Sequence, residues 1–317
     1  MRAEHGFMNI ETDPETSLYV YGWLPDDDGR PAKAVVQIAH GMAETAARYE
    51  RFAAALTARG YAVYAGDHRG HGRTAGRPEA VGDPGPDSFD RMTDDLVAVT
   101  ERIAERHPGA PIVLFGHSMG SFVAQQYMYR HPGKLAGVIL SGSDGPKGPE
   151  LGLGLLLARL EARWRGDRHR SRLLNALTFG GYNRRFRPVR TAFDWLSRDP
   201  EEVDRYIADP YCGGDFASGF FRDFFAGLRD IHKPEHLRRI PRELPILIVS
   251  GDNDPVGRFG AGVRQLADLY RQLGFSRVRC KLYPGGRHEL LNETNREEVT
   301  DDVLQWLDRL VEGVPDR

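Results

Sequence analysis

The chain has 317 residues, 40% of them hydrophobic and 28% charged, with 43 Lys and Arg against 45 Asp and Glu for a formal net charge of −2. That composition is ordinary for a globular protein and excludes a disordered tail, a collagen-like chain, a disulfide-stapled miniature and a nucleic-acid binder working through overall basicity. The length fits two domains or one α/β domain carrying an insertion. Cys212 and Cys280 lie far apart, outside any C-x-x-C or Cys/His ligand spacing, so two free thiols in a reducing compartment are expected. The opening stretch lacks an apolar leader and no run nears the ~18 apolar residues of a membrane span, which predicts a soluble, cytoplasmic protein.

Taken in chain order, Phe7 to Glu11 and Ser17 to Trp23 read as two strands joined by a turn at Asp13-Pro14, and Pro25 to Gly29 reads as a second turn. Val35 to Ala39 is a short apolar run ending at His40-Gly41, the mark of a buried parallel strand. A helix over Glu44 to Arg59 stops at Gly60, and Tyr61 to Ala65 is the next strand. The unit repeats: helix Asp94 to Glu105, strand Pro111 to Phe115, helix Met119 to Arg130, strand Gly137 to Leu140. Strands alternating with helices predict an α/β fold, a mostly parallel sheet with helices on both faces.

From Gly142 to Pro241 the rhythm stops, leaving helical stretches broken by Gly and Pro. It resumes with strand Ile246 to Val249, helix Ala261 to Leu273, strand Arg277 to Tyr283 and helix Arg296 to Leu310. The expected organisation is therefore a core of residues 1–141 and 242–317 with an inserted helical cap, 142–241. Within the insertion, Leu151 to Leu157 suits either a lid meeting acyl chains or a helix packed on its neighbours. An Arg-rich half, Arg159 to Arg190, faces an acid-rich half, Asp199 to Asp215; pairing between them is the expectation, and transient contact with a lipid surface the alternative.

Gly116-His117-Ser118-Met119-Gly120 is a G-x-S-x-G pentapeptide between a strand and a helix, the setting of a nucleophile elbow. A serine hydroxyl needs a base to take its proton. His288 follows the last sheet strand, and Gly251-Asp252-Asn253-Asp254-Pro255 places a carboxylate at the end of the strand before it. Reactive groups gather at that edge of open α/β sheets, and Ser, then Asp, then His is the chain order of such hydrolases. Asp252, Asp254 and, more remotely, Asp144 are the candidate acids. His40 reads as a brace for its loop, His68 and His71 as structural rather than metal ligands, and His117 as a neighbour pointing away from Ser118.

The stretches HGMAETAARYERFAAALTARGYAVYAGDHRGHGRT, GHSMGS, GDNDPV and GGRHE carry a resemblance. From His40 to the C-terminus the chain is similar to the α/β-hydrolase family of monoacylglycerol lipases and lysophospholipases, grouped with serine aminopeptidase-like hydrolases. The resemblance implies an α/β-hydrolase fold, a Ser118–Asp254–His288 triad, and an oxyanion hole from the backbone N–H groups of Met42 and Met119. It implies a small acyl ester or lipid as substrate and requires no cofactor and no metal. The same triad would also serve an acyltransferase, thioesterase or peptidase, and a non-catalytic ligand-binding protein is the reading from another class. Two departures stand out: Met42-Ala43-Glu44-Thr45 where the family often has x-G-E-H, and Ser121 where it often has Gly.

Overall fold

The computed structural model describes residues 1–10, 13–26 and 30–314. Among the described residues eight strands form one sheet: β1 (Arg2–Ile10), β2 (Asp13–Leu24), β3 (Val35–Ala39), β4 (Ala62–Gly66), β5 (Ile112–His117), β6 (Gly137–Ser141), β7 (Ile246–Gly251) and β8 (Val278–Tyr283). Their spatial order is β1-β2-β4-β3-β5-β6-β7-β8. β1 and β2 are antiparallel to each other and β2 to β4; every other pairing is parallel. The first two strands run longer than the sequence pattern suggests, because main-chain pairing extends past the apolar residues. Glu11 and part of the Pro25 to Gly29 turn lie outside the described residues.

Ten helices accompany the sheet among the described residues: α1 (Glu50–Ala58), α2 (Ser88–Arg106), α3 (Met119–Arg130), α4 (Pro149–Arg165), α5 (Arg172–Phe179), α6 (Pro200–Ala208), α7 (Ser218–Asp230), the short α8 (Pro234–Leu237), α9 (Ala261–Gln272) and α10 (Arg296–Val311). β3 to β7 are buried along their whole length, as strands covered on both faces must be. Alternate residues feed opposite cores. Val35, Ile112 and Leu114 pack with α2, α3 and α9, while Val36, Val113 and Phe115 pack with α1 and α10. The buried Gln37 in mid-strand β3 is satisfied: its Nε2 donates to Leu96 O at 2.8 Å and its Oε1 accepts from Thr100 at 2.6 Å.

Two helices start elsewhere than the spacing predicts. α2 begins at Ser88 rather than Asp94, because Asp223 of α7 accepts a 3.0 Å bond from the Ser88 N–H and so covers an otherwise open helix end. The Glu44 to Arg59 helix opens as a single tight turn, Ala46–Tyr49, pinned where Asp67 accepts from Ala46 N at 2.8 Å.

No strand of the sheet lies between β6 and β7 among the described residues; that stretch holds α4 to α8. The core below α2 and α3 continues into it through Phe220, Phe221 and Phe224 of α7, on which α4 packs. Its two charged halves meet through Arg190–Asp204 at 2.6 Å and Arg172–Asp215 at 3.7 Å. The acid-rich half also pairs with the rest of the protein: Glu202 meets Arg51 at 2.7 Å and Asp199 meets Arg296 at 2.8 Å.

Candidate active site

The strand order makes the site. After β3 the chain moves outward to β4, then returns past β3 to β5, so the connections leaving β3 and β5 diverge at a crevice above their C-terminal ends. The loop His40–Glu44 leaves β3 on one side, and Ser118 leaves β5 on the other.

Ser118 has φ 51° and ψ −119°, a conformation costly for a residue with a side chain and frequent at reactive sites. Its neighbours must be glycine for steric reasons. A Cβ on Gly116 would lie 2.6 Å from Gly120 O, and one on Gly120 would lie 2.1 Å from Ala39 O. The close approach of the β3 and β5 connections therefore depends on the pentapeptide. α3 starts at Met119, so the N–H groups of Met119 and Gly120 have no preceding helical carbonyl, and the helix start places partial positive charge beside Ser118.

His288 stands on the loop after β8, buried between Trp195 and His117, with ring centroids 5.0 and 4.7 Å away. Its Nδ1 is 2.9 Å from Asp254 Oδ2. Asp254 is fully buried and also accepts from Val256 N at 2.8 Å and from Ser250 Oγ at 3.2 Å. Burial disfavours a charged His288, but the Asp254 carboxylate outweighs it and raises the imidazole pKa above its ordinary value. Asp252 points elsewhere, accepting from Gly285 N at 2.7 Å, and Asp144 is engaged with Lys147 and Arg258.

Ser118, His288, Met42 and Met119 line one cavity of about 920 Å³. Its walls are mostly apolar, with Leu174, Phe179, Trp195, Phe224 and Val256 among them, supplied largely by the segment between β6 and β7. A second large cavity, about 970 Å³, lies apart between β1 and α2 and is lined with ion-paired side chains such as Arg69 and Asp95.

His40, His68 and His71 are buried together and brace the loops after β3 and β4. His40 Nδ1 donates to Gly41 O at 2.8 Å while its Nε2 accepts from His68 N at 2.9 Å, which fixes a neutral tautomer and joins the β3 and β4 loops. Burial pushes His40 down to about 4 and His71 to about 3. No group of three or more His, Cys, Asp or Glu placed to hold a metal occurs among the described residues.

Sequence reasoning missed a buried ion network beside the site. Arg48 makes a two-pronged contact with Glu289, 2.6 Å at each nitrogen, and a 2.8 Å contact with Glu44, which in turn accepts from Gly41 N and Tyr49 OH. It ties the loop holding Met42 to the loop holding His288. The only advance signal was the helical spacing of Glu44 and Arg48.

A strained serine between strand and helix, an Asp–His pair at the same sheet edge and an apolar cavity over both define an α/β-hydrolase. The model of the serine aminopeptidase S33 family matches residues 30–295. The monoacylglycerol lipase of Mycolicibacterium smegmatis is 32% identical over 311 residues, covering 96% of this chain and 97% of that protein. Human monoglyceride lipase is 28% identical over 297 residues, 93% and 86% of the two chains. A thermostable carboxyl esterase from Bacillus coagulans, solved with glycerol, superposes with a TM-score of 0.90 at 27% identity, covering 98% and 99%. The chain belongs to the serine aminopeptidase S33 family, in its monoglyceride lipase-like branch, and is a serine ester hydrolase. No helix among the described residues is long and apolar enough to cross a membrane.

Proposed function

We propose that the protein hydrolyses monoacylglycerols or similar acyl esters through a covalent acyl-enzyme carried on Ser118. His288 Nδ1–H is held by Asp254, which leaves Nε2 as the base that takes the Ser118 proton when Oγ attacks the ester carbonyl. The N–H groups of Met42 and Met119 receive the oxyanion. The imidazolium, stabilised by Asp254, returns the proton to the leaving alcohol, and water releases the acid by the same route. The observation that carries the reading is the positive-φ Ser118 sharing a cavity with a histidine whose far nitrogen is 2.9 Å from a buried aspartate.

The substrate class rests on the apolar cavity and on the names of the relatives, two of them monoglyceride lipases. In this reading residues 142–241 form a cap that supplies the acyl-chain walls to a core of 1–141 and 242–317. Leu153, Leu156, Trp164, Leu173 and Leu177 expose apolar surface on α4 and α5, which favours transient contact with lipid surfaces. The test is an ester series of increasing acyl length together with 1-monoacylglycerol, assayed on wild type and Ser118→Ala. Hydrolysis by wild type and a loss of about 10⁶-fold in the variant are expected; undiminished turnover by folded Ser118→Ala removes the nucleophile.

A further inference from the structure

The reaction above leaves no part for Ser121, one of the two departures from the family pattern. Its side chain is fully buried, with Oγ 2.6 Å from the carbonyl oxygen of Ser118 and 2.8 Å from Ser143 Oγ. Beyond Ser143 the chain of bonds continues: Gln125 Nε2 donates to Ser143 Oγ at 3.1 Å, and Gln125 Oε1 accepts from His232 Nε2 at 2.9 Å and Tyr270 OH at 3.3 Å. Proton counting sets its direction. Ser121 has one hydroxyl proton, which the shorter contact assigns to the Ser118 carbonyl, so the Ser143 hydroxyl donates to Ser121. Every donor then points one way, and the series ends on the carbonyl of Ser118.

That carbonyl belongs to the same peptide unit as the N–H of Met119. A peptide unit is planar, so whatever holds its oxygen also fixes the direction of its hydrogen. A bond accepted at the oxygen polarises the amide, and bonds in series strengthen one another. Helical serines often bond a carbonyl three or four residues back. This one differs because the carbonyl is that of the strained Ser118 and the hydroxyl is itself fed by a buried series.

We propose that Ser121 is a positioning residue for the oxyanion hole: its hydroxyl clamps the Ser118–Met119 peptide and so sets the aim and donor strength of the Met119 N–H. The inference deepens the function proposed above and rests on it. Ser121 touches no substrate, and its effect is confined to the tetrahedral state, where the oxyanion forms. Glycine at this position would keep the main-chain bond from residue 121 N to Ser118 O, 2.9 Å here, but not the hydroxyl's.

The experiment compares wild type with Ser121→Ala, Ser121→Gly, Ser143→Ala and Ser118→Ala. It measures kcat and KM on a p-nitrophenyl ester and inhibition by two ligands of matched chain length. One is a trifluoromethyl ketone, which Ser118 converts into a tetrahedral alkoxide; the other is a secondary alcohol, which cannot be attacked. Both Ser121 variants are expected to lose kcat by about 3- to 30-fold, less than the ~10²–10³ of deleting a donor outright. Ketone affinity falls by the same factor, while KM and alcohol affinity stay within about twofold. Ser143→Ala, which leaves the elbow helix untouched, shows a smaller loss in the same direction and keeps the test decisive if a Ser121 variant fails to fold. Wild-type kcat and ketone affinity in the Ser121 variants, or in Ser143→Ala when those do not fold, overturn the role of Ser121. Equal losses in ketone and alcohol affinity overturn it too. With Ser118→Ala inactive, either result leaves the nucleophile assignment standing; an active Ser118→Ala brings down both.

Discussion

Replacing Arg48 by methionine removes the one cation from the network that joins the two loops of the site. The side chains of Arg48, Glu44 and Glu289 are 12%, 4% and 6% exposed, so solvent cannot take over when the guanidinium goes. Breaking a buried ion pair from one side costs about 3–5 kcal/mol. Spread over the unfolding entropy of a chain this long, that is a fall in Tm of roughly 4–8 °C. The pH dependence gives a second signature. Burial works to raise the Glu289 carboxyl, yet the Arg48 guanidinium outweighs it and holds the group below the usual carboxylate range. The pair's stabilisation is therefore present above the unfolded-state pKa and lost as pH falls through the lower folded one. Without Arg48, burial prevails and Glu289 rises above the usual range, so its penalty is relieved on protonation. The gap in Tm between wild type and Arg48→Met should be widest near pH 7.5 and narrow toward pH 5. Thermal unfolding followed by circular dichroism at both pH values measures this, with Arg48→Lys expected between the two. A methionine variant within about 1 °C of wild type at pH 7.5, or a gap that widens on acidification, refutes the reasoning.

Other predictions concern the chemistry directly. Asp254→Asn should lower kcat by about 10³–10⁴, whereas Asp252→Asn, whose carboxylate holds only a loop N–H, should stay within about tenfold; parallel kinetics on the two variants decide between them. Because the base must be neutral, and burial of His288 is outweighed by Asp254, kcat/KM should fall on the acid side through a pKa above 6.5. In Asp254→Asn that limb moves to lower pH, and a pH–rate profile that does not shift contradicts the pairing. A Cβ on Gly154 would lie 3.4 Å from the Phe225 ring on the cavity wall, so Gly154→Leu should shorten the preferred acyl chain while sparing short esters. An ester-length series reads this, and an unchanged optimum removes α4 from the acyl site.

Much of the architecture was legible in short segments. The all-buried runs of β3 to β7, the amphipathic spacing of α2, α9 and α10, and the strand-serine-helix setting of Ser118 each follow from residues within a few positions of one another. The chain order of serine, acid and histidine pointed to the same sheet edge. Boundaries set by distant groups were not legible: Asp223 starts α2, and Asp67 tightens the turn before α1.

Only the tertiary structure decided which carboxylate meets which cation or imidazole. Asp252 and Asp254 sit two residues apart on one turn, and the backbone path of that turn alone sends one to Gly285 N and the other to His288. Arg48 finds Glu289 across 241 positions, and Ser121 finds Ser143 across 22. The segment between β6 and β7 was legible as a charged, helical interruption, but not that its acidic half also reaches Arg51 and Arg296. The physical reason is range. Burial pattern and backbone strain are properties of neighbouring residues, so the sequence by itself determined the sheet, its helices and the place of Ser118. Hydrogen bonds and ion pairs reach about 3 Å and depend on direction, so the carboxylates, the Arg48 network and the walls of the cavity were settled only when the folded chain brought their partners together.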